Sequence, residues 1–311
     1  MLLNYIAYRL TLYIPTLFII LFVVFTLVKL LPGDPIRVMY GEINPPPEVE
    51  AALREKLGLD KPLIVQFLLY VYRIFTGDWG KSIATGEPVL ELAVRRFTAT
   101  LELTVASLAI ATVVGITLAY IAAMKPNSAI DRLIGIVSMA GYSMPVFWWG
   151  LILILIFSVN LKLFPPGGRE GLESLVLPAL TLATVNFGII ARVSRAAMLE
   201  VSTQDFVAAA RARGFSERRV MLAYVMRNAV ITIVTLVGLR FGILMGGAVI
   251  TETVFAYPGI GRMIVETGIF ARDYPVLFGG VVFVALVVMT VNLVVDILYA
   301  IVDPRARVAR G

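Results

Sequence analysis

Residues 8–31, 98–124, 133–158, 175–190, 229–255 and 275–302 are long runs of almost unbroken apolar sequence. About 20 such residues, coiled as a helix, cross the ~30 Å hydrocarbon core of a bilayer. Inside that core the backbone must satisfy its own hydrogen bonds, and runs of this length do so as helices. The expected fold is therefore all-α and integral to the membrane, with six transmembrane helices. Hydrophobic residues make up 59% of the chain, only 15% are charged, and the mean hydropathy is +0.89. A water-soluble domain could not hide that much apolar surface. The first run is too long for a signal-peptide core and no small-residue cleavage site follows it. It reads as a retained span, with Arg9 on the cytoplasmic side and a bend at Pro15.

The polar segments give the topology. Residues 32–97 form the long outer region, expected to be a helical extracellular domain. Leu31-Pro32-Gly33-Asp34-Pro35 stops the first helix, and Pro45-Pro46-Pro47 is stiff and extended. Residues 48–57 read as a short helix and 61–75 as an amphipathic one, with Leu63, Phe67, Tyr70, Val71 and Ile74 at helical spacing. The third run is broken by Ser143-Met144-Pro145, and Phe147, Trp148 and Trp149 are expected to pack that kink. The fourth extends inward to residue 195, and a short helix is expected after Gly261 in the last outer loop.

Arg9, Lys125, Arg132, Arg305, Arg307 and Arg310 fall on one side, with the arginines of residues 192–228. The short loops opposite carry Lys162, Arg169, Arg262 and Arg272, matched by Glu170, Glu173, Glu266 and Asp273. Positive residues stay inside, so both termini are expected in the cytoplasm, the tail 303–311 included. The net charge of +6 thus reflects topology rather than a nucleic-acid partner. Histidine and cysteine are absent, which excludes disulfides, thiolate and imidazole metal sites and a histidine base. Gly80-Lys81-Ser82 is no phosphate loop, since Phe75 stands where the first glycine is needed. No internal repeat is evident in the sequence.

Residues 192–228 interrupt the apolar pattern. Arg192, Arg195, Arg211, Arg213, Arg218, Arg219 and Arg227 oppose Glu200, Asp205 and Glu217. Ser202 and Asp205 have capping-box spacing, Gly214 suits a left-handed stop, and Ser216 can cap a second helix. A solvated inner loop would explain the arginines. Two helices around a glycine break suggest instead a docking surface.

Ala209-Ala210-x-x-x-Gly214 resembles the EAA loop that permeases of ATP-binding-cassette (ABC) importers insert into a cleft on their ATPase. Ala210-Arg211-Ala212-Arg213-Gly214 and Arg227-Asn228-Ala229 are similar to the B-type subunit of the oligopeptide, dipeptide and nickel branch. Ala208 replaces the motif's glutamate, and Thr232 stands where that branch usually has proline. Leu57-Gly58-Leu59-Asp60-Lys61-Pro62-Leu63, Gly77-Asp78-Trp79-Gly80-Lys81-Ser82, the string from Gly246 to Phe255, and Tyr257-Pro258-Gly259-Ile260-Gly261 resemble the same branch. The resemblance implies the type I permease fold, with a permease core at 98–302 and a coupling loop at 192–228. Ala209, Ala210, Arg211, Arg213, Gly214, Glu217, Arg218 and Arg219 would then face the ATPase. The implied partners are a second homologous permease, two ATP-binding subunits that hold ATP and magnesium, an extracellular solute-binding protein and membrane lipid. This chain would carry no cofactor and no enzymatic site. Peptides are the usual cargo, and related permeases carry oligosaccharides or nickel complexes.

Polar residues inside spans are costly and mark a cavity or a partner. Here they are Glu102, Asn186, Arg240, Glu252, Asn292 and Asp296. Arg240, Asn186, Glu102 and Pro145 are the candidate path residues. Glu102 and Glu252 lie near outer ends, where they can reach headgroups, and Asp296 lies near an inner end. Arg240 stands ~16 Å into the fifth run at 1.5 Å per residue, close to the midplane. It is expected to line the path, to meet an acid of the partner permease, or to reach one of these carboxylates. Gly238, Gly242 and Gly246 let two helices approach closely, either with another helix of this chain or, the preferred reading, with the partner permease. A self-sufficient channel or ion-coupled carrier is the alternative, disfavoured because no matching pair of broken helices is seen. A membrane scaffold would give Arg240 no purpose.

Overall fold

A computed structural model describes residues 2–30, 46–57, 60–246 and 248–302. The expected stop after residue 30, the first proline of the triplet, Gly58 and the tail lie outside them. Helix α1 is Leu2–Leu30, α2 Pro47–Leu57, α3 Leu63–Thr76 and α4 Val89–Met124. Next come α5 Ala129–Ser143 and α6 Val146–Leu153, the latter widening into a π-helical turn over Ile154–Asn160. Helix α7 is Leu172–Ser202 and α8 Asp205–Ala212. Helix α9, Glu217–Val220, passes through a π-helical turn into α10, Arg227–Met245. Helix α11 is Val249–Val254, α12 is Ile260–Met263 with a π-helical continuation to Phe270, and α13 is Tyr274–Val302. Among the described residues no extended strand forms.

Five helices are long and apolar enough to cross a bilayer: Arg9–Leu27, Val89–Met124, Leu172–Ser202, Glu217–Met245 and Tyr274–Ile297. The third apolar run differs from a kinked rod. Its halves, Ala129–Ser143 and Val146–Asn160, meet at 99°. Proline has no N–H and disfavours helix in the residue before it, so Met144 and Pro145 break the chain fully. Phe147 and Trp148 do not pack the bend as expected; both are exposed.

Other boundaries move too. The second span begins at Val89, behind Pro88, and the fourth continues to Ser202. The fifth starts at Glu217 and ends at Met245, and the rest of its apolar run folds separately as α11.

The centre of the molecule is α4 against α7, a seam of small side chains. Ala99, Ala111, Ala119 and Ala123 of α4 are buried there. A methyl at Gly115 would sit 2.8 Å from the Ile190 side chain, so glycine sets how closely these helices approach. Helix α1 lies against α13, with Arg9 and Asp296 paired at 2.7 Å and the Tyr13 and Thr290 hydroxyls 3.1 Å apart. Asp296 therefore has an ion partner. Its pairing puts the start of α1 and the end of α13 on the same side.

Helix α3 has no separate core. Its Phe67, Tyr70, Val71 and Ile74 join a cluster with Leu17, Leu21 and Val24 of α1 and Phe278 and Val282 of α13. Gly80-Lys81-Ser82 is a turn beside α13, where the Ser82 hydroxyl donates to Asp273 at 2.6 Å.

Candidate functional site

The loop between α7 and α9 is a rigid bracket. Ser202 does not open a helix as its spacing suggests. Its hydroxyl donates back to the Leu199 carbonyl at 2.7 Å, inside α7, and α8 starts behind Gln204. Gly214 takes φ +80 and turns the chain sharply. Ser216 holds the cap position of α9, yet its hydroxyl makes no capping bond. Val207 and Ala210 bury one face of α8 against Ala119, Ala123, Met198, Met221 and Val225. The other face leaves Phe206, Ala209 and Arg213 exposed, three and four residues apart and so in one row.

Two expected contact residues also pair with each other within the loop. Arg211 grips Glu217 through Nε and Nη2, at 3.1 and 2.8 Å, and donates from Nη1 to the Ser202 carbonyl at 3.1 Å. A bidentate guanidinium–carboxylate pair fixes orientation as well as distance. Arg211 and Glu217 thus close the glycine turn. The Arg219 guanidinium sits 4.5 Å over the Phe215 ring, which stacks on Tyr224. The Arg213 and Arg218 side chains make no hydrogen bond or ion pair among the described residues and remain available.

One tie escaped the sequence reading. Arg195 donates to Asp131 through two bonds, at 2.6 and 2.5 Å. Asp131 is buried and also accepts from the Asn127 amide at 2.8 Å. This pair joins α5 to the C-terminal half of α7. The Ser128-x-x-Asp131 capping spacing was a visible signal, since the Ser128 hydroxyl accepts from the Asp131 amide at 3.2 Å.

At the opposite end a second polar cluster is built around Glu252. It does not reach headgroups; it is fully buried. Its carboxylate accepts from the Thr100 hydroxyl at 2.6 Å and the Arg262 amide at 2.9 Å. Thr100 accepts in turn from the Ile260 amide at 2.9 Å. A buried acid here satisfies the free N–H groups that open α12. Gly259 and Gly261 pack directly on it, and a methyl at Gly259 would overlap the carboxylate. Gly167 abuts the Phe255 carbonyl, so the Pro-Pro-Gly-Gly loop rests on the same knot. Glu102 pairs with Arg169 at 2.7 Å. Burial pushes the Tyr257 phenol up to about 12, and Glu102 adds to the rise.

The remaining candidates separate. Asn186 is buried and its amide donates to the Leu182 carbonyl of its own helix at 2.8 Å. Pro145 is exposed at the bend. Gly238 and Gly242 face this chain's own α13: methyls there would meet Val295 at 2.9 Å and Asn292 at 2.7 Å. Beside Gly246 the nearest α13 atom, on Val288, is at 3.6 Å. Gly238 and Gly242 therefore pack closely within the chain, against α13. Arg240 is half-buried, with no hydrogen bond or ion pair among the described residues. It lies five residues before the end of α10, nearer that end than the midplane position expected.

Residues 115–308 match the family described as the binding-protein-dependent transport system inner membrane component, and residues 2–104 its N-terminal part. The chain is 43% identical to the di/tripeptide transport system permease protein DppB of Pseudomonas aeruginosa (strain UCBPP-PA14), over 98% of this chain and 99% of that protein. It is 40% identical to the dipeptide permease DppB of Escherichia coli (strain K12) and 41% to the glutathione permease GsiC of Salmonella paratyphi A (strain ATCC 9150 / SARB42), with the same coverage. Among solved structures, the inward-facing MetNI methionine ABC transporter superposes with a TM-score of 0.59 at 21% identity, over 70% of this chain and 99% of that one. That likeness speaks to the fold alone.

Proposed function

Because the chain belongs to the family of binding-protein-dependent transport system inner membrane components, we propose that it forms, with a second homologous permease, the path for uptake of di- or oligopeptides. Family membership leaves no ground for the self-sufficient channel, the ion-coupled carrier or the scaffold. The names of the relatives favour short peptides over oligosaccharides or nickel complexes. Two ATP-binding subunits hydrolyse ATP, and an outer solute-binding protein delivers the cargo. Both termini and the loop at 192–228 lie in the cytoplasm.

The observation that carries this reading is the two-faced loop. Helix α8 has one side locked into the α4–α7 core and the other, with Phe206, Ala209 and Arg213, open. A push on the open face by an ATPase moves α7, α8 and α9 as one body, because Arg211 of α8 holds both Glu217 at the start of α9 and the Ser202 carbonyl at the end of α7. The Asp131–Arg195 pair passes that movement to α5. Purifying the protein from its host membrane tests the assembly: two ATPases and a second permease are expected with it, and a lone chain would count against the proposal.

Arg240 is the remaining path candidate. The three acids of the spans named above are occupied: Glu102 holds Arg169, Asp296 holds Arg9 and Glu252 accepts from Thr100. Arg240 therefore meets the solute or the second permease. Arg240→Gln keeps polarity and removes charge. A path role gives altered uptake from an intact complex. A pairing role gives loss of the second permease on purification, because its buried acid is left alone. Unchanged uptake from an unchanged complex would remove Arg240 from the site.

A further inference from the structure

Helix α3 falls in the region that reads from sequence as an aqueous outer domain, but its neighbours lie in spans. Phe67 meets the rings of Phe22 and Phe25, each at 5.5 Å, and Tyr70 meets Phe25 at 5.9 Å. Its apolar cluster takes in Leu17, Leu21 and Val24 of α1, inside the span Arg9–Leu27. It also takes in Phe278, Val282 and Leu286 of α13, inside Tyr274–Ile297.

Depth follows from the helical rise of 1.5 Å per residue. Val24 to Leu17 lie roughly 4 to 15 Å below the outer end of the first span, and Phe278 to Leu286 roughly 6 to 18 Å below that of the last. Two helices independently set α3 at the same level, in the outer half of a ~30 Å core. At 14 residues α3 is about 21 Å long, too short to cross.

The side of α3 turned away from α1 and α13 is also apolar. Ile64, Leu68, Tyr72 and Phe75 are 75, 56, 66 and 65% exposed. Their spacing of four, four and three makes one continuous stripe. Phe18, Ile19 and Phe22 of α1 are exposed and apolar as well, so the stripe continues a membrane-spanning surface. Arg73 is the one charged residue in the helix. A helix seated on span residues, apolar on both sides and nearly free of charge, matches acyl chains rather than water.

We propose that α3 is embedded in the outer leaflet as a partial span, with Ile64, Leu68, Tyr72 and Phe75 contacting lipid acyl chains. The word outer rests on the topology proposed above, whereas the embedding rests on the packing. The helix thereby braces α1 and α13 from the lipid side.

Nitroxide labels at Ile64→Cys, Leu68→Cys and Tyr72→Cys, each in the assembled importer in liposomes, test this by collision with oxygen and with a water-soluble nickel chelate. These side chains are exposed, so labelling disturbs no buried contact, and co-purification of the partner subunits checks assembly first. Oxygen is expected to win several-fold at all three positions, while Thr85→Cys, in the exposed turn, favours the chelate. Nickel access at any of the three overturns the proposal. Exclusion of both probes also overturns it, since that marks a protein partner on the stripe. An impermeant thiol reagent on intact cells reads the side separately. It should label Thr85→Cys and spare Ser216→Cys; the reverse would move α3 to the inner leaflet and fail the topology while leaving the embedding intact.

Discussion

Glu252→Ala is expected to cost roughly 4 kcal/mol and to abolish recovery of the assembled complex in detergent. The carboxylate is fully buried and accepts from the Thr100 hydroxyl and the Arg262 amide. Without it these donors are stranded, at about 1–3 kcal/mol each, and a cavity is left beside Gly259 and Gly261. Glu252→Gln keeps the volume but points an amide N–H₂ at groups that themselves donate, so it should fall between wild type and alanine. Thr100→Val should cost about 2 kcal/mol, because it removes the hydroxyl's bond to the carboxylate and strands the Ile260 amide but leaves the carboxylate with the Arg262 amide. Thermal unfolding of the purified complex ranks the three. A melting temperature for Glu252→Ala equal to wild type would show that the cluster does not hold this end of the bundle together.

Gly214→Val is expected to uncouple transport without unfolding the protein. Gly214 takes φ +80, and a Cβ there meets no atom within 4 Å, so the penalty is conformational alone. A β-branched residue in the left-handed region costs about 2 kcal/mol, which lowers the population of the native turn roughly thirtyfold. Peptide uptake and recovery of the ATPases should fall together while membrane insertion stays normal. Gly214→Asn, which tolerates the left-handed region, should keep most of both. Normal uptake in the valine variant would make the loop a topological anchor.

The spans were legible because the bilayer imposes a length and a composition on them. The broken third run announced itself through Met144-Pro145, though not the size of its bend. What escaped were contacts between distant residues. Nothing local marks Asp131 as the partner of Arg195, or Glu252 as the partner of Thr100. Glu252 lies at the end of an apolar run, where a surface acid and a buried one look alike in sequence. Gly238 and Gly242 signalled close packing, but only the fold shows that α13 is the helix they face. The apolar pattern of α3 was visible, and its second apolar side was passed over because the surrounding polar segments suggested water. In the loop, Ala209 and Arg213 stand exposed, whereas Arg211 and Glu217 of the same motif brace the turn.

The open face of α8 is expected to rest on an ATPase. A photo-reactive cross-linker on Ala209→Cys, with the complex in its native membrane, tests it most directly. Ala209 is exposed in the row with Phe206 and Arg213, so the probe replaces no buried contact. The expected product joins this chain to an ATP-binding subunit, with a yield that changes when nucleotide is added. Cross-links to lipid alone, or to no protein at all, would contradict it.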